Sequence, residues 1–170
     1  MKPPIPLPAS LSRLLAGARF AKDTIGCSSS AVFKICGLPE VGDAYLKVVE
    51  LAAGEDLLRE KAVSDWLHGR LPVPRVLYFI EQFEIQYLLI SAIPGLGAEN
   101  EYFLSTDNTP GMVRELARGL RQIHSLDIGD CPFPRHLDTM LAEAGRRVEL
   151  GLVSPYDFQP KNTSRAPEDI

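Results

Sequence analysis

The spacing of apolar side chains along this chain alternates between two periods. In "TIGCSSSAVFKICGL" a Gly/Ser-rich turn leads into alternation, with Val32 opposite Phe33 and Ile35, and "AYLKVVE" alternates again; a period of two belongs to a strand. "GEDLLREKAVSDWLHGRL" shifts to helical spacing through Leu58, Ala62, Val63, Trp66 and Leu67, a helix of about four turns with Gly69 as its stop. "LPVPRVLYF" and "IQYLLISAI" return to strand and are joined as a hairpin by the polar "EQFE". "IPGLG" at 93–97 interrupts the pattern as a hinge does. Beyond it, "GMVRELARGLRQIHSL" sets Val113, Leu116, Ala117, Leu120, Ile123 and His124 on one helical stripe. "DCPFPRH" is a proline-bounded connector, and "LDTMLAEAGRRVELG" is a second amphipathic helix through Leu137, Leu141, Ala144 and Val148, closed by Gly151. A short helix capped by Ser10 is expected ahead of the first strand.

The expected order is β-β-α-β-β, a hinge, then helices. That is an α+β arrangement rather than a regular alternation of strands and helices. It divides the chain into a lobe at 1–92, a hinge at 93–97 and an incomplete helical lobe with a polar tail at 98–170. Two amphipathic helices cannot bury each other's stripes fully. Val113, Leu116, Leu120, Ile123, Leu137, Leu141 and Val148 are therefore expected to face solvent, more chain or a second copy.

Charge refines this picture. Residues 1–92 carry ten basic and ten acidic side chains and residues 93–170 carry eight and twelve, so the whole net charge of −4 lies in the second part. That disfavours nucleic acid as a partner and suits a cationic ligand there. Cys27, Cys36 and Cys131 are odd in number and lack C-x-x-C spacing, which fits a reducing cytoplasm. The first twenty residues hold four early prolines and no signal-peptide core, and no apolar run approaches membrane-spanning length.

The chemistry begins with Lys47, at the centre of an apolar strand. A lysine pointing inward needs a carboxylate or a phosphate. Glu60, thirteen positions on, lies on the inward side of the following helix near Val63 and Leu67. Upstream, "IGCSSSAV" offers main-chain N–H groups and hydroxyls to phosphate oxygens. Small-residue turn, strand lysine and helix glutamate, in that order, form the nucleotide lobe of the protein-kinase architecture.

"GCSSSAVFK", "AYLKV", "LLREKAVSDWLHGRLPVPRVLYF", "YLLISAIPG", "LRQIHSLDIGDCPF" and "LDTMLAEAGRRVELGLV" together resemble the aminoglycoside 3′-phosphotransferases, which have a kinase-like fold. The resemblance runs from about Thr24 to Asp157, and "LPVPRVL" and "DCPF" favour this group over the fructosamine, choline and homoserine kinases. It implies that Lys47 contacts nucleotide phosphates with Glu60 as its partner and that Ser28 lies in the loop over them. It implies that Tyr45 stacks on adenine, and that Ser91 and Ile93 offer main-chain groups to the adenine edge. The intact enzyme would use ATP or GTP with magnesium to phosphorylate a hydroxyl of an aminoglycoside antibiotic, conferring resistance.

The same resemblance marks a departure. The family's H-G-D-x-x-x-x-N loop and later D-x-G segment, which carry base and metal ligands, do not occur in this sequence. No catalytic residue and no metal ligand is therefore assigned within it. "IHSLD", with His124 and Asp127, matches an earlier helix end where the histidine is a packed structural residue, and Asp130 and Cys131 belong to the same structural connector. "RAPEDI" at 165–170 has the proline and acidic residues of a helix start, so the chain is expected to stop early. The expectation is a transferase portion inactive by itself; the alternative is a non-catalytic nucleotide-binding or interaction module, or an inert fragment.

Overall fold

A computed structural model describes residues 5–25, 29–98, 100–104, 107–133 and 136–153. Ser28, the "RAPEDI" terminus and the rest of the polar tail lie outside the described residues. Helix α1 (Ala9–Leu14) precedes strands β1 (Arg19–Asp23), β2 (Ala31–Leu38) and β3 (Gly42–Glu50). A single 3₁₀ turn at Leu51–Ala53 leads to α2 (Leu57–Leu67), then β4 (Val76–Gln82) and β5 (Ile85–Ser91). Short α3 (Glu101–Leu104), α4 (Thr109–His124) and α5 (Leu137–Glu149) follow.

The five strands form one antiparallel sheet in the order β1-β2-β3-β5-β4, so β3, the lysine strand, is central. Alternation divides its side chains between two layers. Ala44 and Leu46 join Phe33, Ile35, Tyr87 and Leu89 beneath Leu11 of α1 and Leu15 just past its end. Val49 joins Leu88 and Ile90 on the opposite face, against Leu57 of α2, with Tyr45 packed at the margin.

Three expectations need correction. Strand β1 was not anticipated: "RFAKD" lacks a clear apolar alternation, and it pairs only with β2, at the edge of the sheet. Ser10 caps nothing; α1 starts at Ala9 after Pro8, and the Ser10 Oγ accepts a hydrogen bond from the Tyr78 hydroxyl at 2.7 Å. In α2 the buried anchor is Leu57, whereas its neighbour Leu58 is half exposed. The β4–β5 hairpin turns on Phe83 and Glu84, both in the left-handed region with φ of 53° and 61°. Gly69 and Gly151, at φ of 80° and 67°, stand just past the ends of α2 and α5, the position that favours glycine.

Neither α4 nor α5 buries a side chain. Val113, Leu116, Leu120, Ile123, Leu137 and Leu141 are between 52% and 68% exposed, as the unpaired stripes implied, while Val148 is partly covered. Among the described residues no helix is long and apolar enough to cross a membrane.

Candidate functional site

Register places Lys47 opposite Val32 on β2 and Leu88 on β5, in the middle of the sheet. Its ammonium donates to Glu60 Oε1 at 2.7 Å. The two side chains are 29% and 35% exposed, so the pair is not sunk in the core but sits at a rim open to solvent.

Glu60 is aimed by the start of its helix. Asp56 is the N-cap, and its carboxylate accepts from the N–H groups of Leu58 (3.0 Å) and Arg59 (3.2 Å). The preceding free donor, the Leu57 N–H, is taken by Gln86 Oε1 at 2.7 Å. Gln86 is the one buried polar side chain among the described residues, and its amide nitrogen donates to Glu81 Oε2 at 3.0 Å. A helix terminus leaves orphan N–H groups, and here a sheet residue and a capping carboxylate satisfy them. The glutamate is thereby held one turn in, facing β3.

A cleft of about 620 Å³ opens between this face of the sheet and the segment at 93–97. Tyr45, Lys47, Ser91 and Ile93 all line it. Val32, Asp23, Pro74 and Leu96 line it too and were missed; Val32 was within reach of the sequence, because residues directly opposite across antiparallel strands share a face. Tyr45 and Lys47, two positions apart, share that face as well. The Ser91 hydroxyl accepts the Arg75 N–H at 2.9 Å, and the Ser91 N–H donates to the Arg75 carbonyl at 2.9 Å, so the side chain is engaged with β4. The Ala92 N–H donates to Asp43 across the sheet at 2.9 Å, while the Ile93 N–H meets no acceptor among the described residues.

The Gly/Ser turn contains a carboxylate contact that the sequence did not reveal. Glu55 Oε1 accepts the Ser29 N–H at 2.6 Å, and its other oxygen accepts the Ser30 hydroxyl. Burial pushes the Glu55 carboxyl up, and the hydrogen bonds from Ser30 and Ser29 outweigh it, leaving the group below the ordinary carboxylate range.

The two motifs around "WLHGRLPVP" and "IHSLDIGDCPF" meet. Arg70 makes a bidentate contact with Asp130 at 3.1 and 2.7 Å and lays its guanidinium 4.5 Å from the centre of the Trp66 ring. The hydrogen bond from Arg70 holds Asp130 below the ordinary carboxylate range. Asp130 is thus structural, as expected. His124 is not a packed residue: it is exposed, because no described residue buries the stripe it shares on α4. The Asp127 carboxylate accepts the Gly129 N–H at 2.9 Å, closing a local turn. Among the described residues no group of three or more His, Cys, Asp and Glu converges to hold a metal.

An antiparallel five-stranded sheet carrying one helix, with a central-strand lysine bound to that helix's glutamate, is a kinase-like N-terminal lobe of α+β class, here followed by the first helices of an α-helical part. The chain belongs to the phosphotransferase enzyme family, whose sequence pattern matches residues 28–166. It is 29% identical over 164 residues to an aminoglycoside 3′-phosphotransferase of Escherichia coli, covering 96% of this chain and 60% of that protein. It is 38% identical over 137 residues to one of Enterococcus faecalis, covering 78% and 50%. It is 33% identical over 155 residues to one of Niallia circulans, covering 89% and 57%. The chain spans half to three fifths of the length of these relatives.

Proposed function

We propose that this chain is the nucleotide-binding portion of an aminoglycoside phosphotransferase, with residues 1–92 as the nucleotide lobe, 93–97 as the hinge and the following helices as the first part of a substrate lobe. The Lys47–Glu60 pair, with Lys47 in the wall of the 620 Å³ cleft, carries this reading. The kinship with enzymes named aminoglycoside 3′-phosphotransferases supports an aminoglycoside hydroxyl as the phosphate acceptor; the donor in this reading is ATP or GTP.

In this reading Tyr45 and Val32 give the base an apolar floor, and the hinge main chain, with the open Ile93 N–H, reads its edge. Lys47 donates to phosphate oxygens and Glu60 keeps it pointed there. The Gly/Ser turn, with Ser28, covers the phosphates. Magnesium, if bound with the triphosphate, would neutralise part of its charge; the described residues offer no ligand set for that ion. The excess acidic charge beyond residue 92 suits a polycationic aminosugar.

The test uses the purified 170-residue chain. Magnesium-ATP or magnesium-GTP is expected to raise its melting temperature, and no labelled phosphate is expected to pass to kanamycin, because this sequence holds no H-G-D-x-x-x-x-N loop. Absence of any shift with either nucleotide would remove the nucleotide reading. Lys47-dependent transfer would show that the chemistry lies within these residues.

A further inference from the structure

Three consecutive residues join parts of the molecule that are far apart in sequence. Glu55 holds the Ser29 N–H and the Ser30 hydroxyl, Asp56 caps α2, and Leu57 donates to Gln86 of β5. The Ser29 hydroxyl adds a 3.5 Å contact to the Ala53 carbonyl on the same segment. The exit of the Gly/Ser turn is therefore fastened to the start of the helix that carries Glu60.

Ser29 lines a separate hollow with Ala31, Val48, Val49 and Ala53, and it does not line the cleft. The Glu55 carboxylate anchors the strand end from which the turn springs.

We propose that Glu55 is a positioning residue for nucleotide binding, fastening Ser29 and Ser30, at the entry to β2, to α2 so that this strand end and the Lys47–Glu60 pair keep one relative geometry. The role rests on the nucleotide reading above. Without the anchor this strand end samples other arrangements, and apparent affinity falls by the fraction of time it is out of place.

The experiment compares the wild-type chain with Glu55→Ala, Glu55→Gln and Glu55→Asp by magnesium-ATP titration, and by amide hydrogen exchange at residues 29–32 without nucleotide. Glu55→Ala is expected to exchange faster at those amides and to bind about fivefold more weakly or worse, as for a strand end in place about a fifth of the time. Glu55→Gln keeps an acceptor for the Ser29 N–H and is expected to fall between wild type and Glu55→Ala, which preserves the test if the alanine variant does not fold. Wild-type affinity in both Glu55→Ala and Glu55→Gln, or unchanged exchange at 29–32, would overturn the proposal. A wild-type chain that binds no nucleotide overturns the underlying reading and this role with it; a wild type that binds while the variants match it overturns this role alone.

Discussion

A lysine ammonium has three N–H donors, and Lys47 gives one of them to Glu60 at 2.7 Å. Lys47 lines the cleft with its side chain 29% exposed, so its charge is held in place by Glu60 and still open to water. The pair was legible in the sequence because alternation fixed the face of Lys47 and helical spacing fixed the face of Glu60. The Glu55 contact was not legible. It depends on the path of a turn, and nothing in the spacing of Ser29, Ser30 and Glu55 distinguishes a bonded carboxylate from a solvated one. Because the Lys47–Glu60 pair is about a third exposed, its removal should cost little stability. Glu60→Gln is expected to shift the urea-derived unfolding free energy by less than about 1 kcal/mol, the range of exposed ion pairs. A loss several times larger would show the pair to be a structural bridge.

At the scale of elements, each well-read piece had a strong period and each misread piece a weak one. Strands β2, β3 and β5 and helices α4 and α5 carry clear alternation or stripes, whereas β1 is a polar edge strand with Phe20 as its lone large apolar residue. Helix α2 was expected from the spacing of Leu58, Ala62, Val63, Trp66 and Leu67, yet the side chain it buries most fully is Leu57, which that stripe leaves out. The β4–β5 turn shows the sequence working against its geometry. Phe83 and Glu84 both occupy left-handed backbone, and Phe83 is 87% exposed, so its ring gains little from burial. The double change Phe83→Asn and Glu84→Gly fits a two-residue turn of this hand and is expected to stabilise the chain by about 1 kcal/mol or more in urea unfolding. Unchanged or lower stability would mean that Phe83 makes contacts beyond the turn.

Across the whole molecule, the sheet with α1 on one face and α2 on the other makes a layered unit with buried clusters on both sides, while α4 and α5 lie beside it with apolar stripes exposed among the described residues. The bidentate Arg70–Asp130 contact under Trp66 ties the two parts together away from the connecting segment at 93–97. Stripes as exposed as Leu116 at 57% and Leu120 at 53% should drive self-association of the 170-residue chain. Sedimentation velocity is expected to show concentration-dependent oligomers that Leu116→Glu with Leu120→Glu returns to monomer; a monomeric wild type at high concentration would show the stripes to be tolerated. The central claim, that Lys47 presents its charge to a triphosphate in the cleft, is tested most directly by calorimetric titration of magnesium-ATP into the wild-type chain and into Lys47→Ala. Saturable binding to the wild type, weakened at least about tenfold in Lys47→Ala as befits the loss of a hydrogen bond to a charged group, is the expected result. Equal affinity for the two proteins would contradict it.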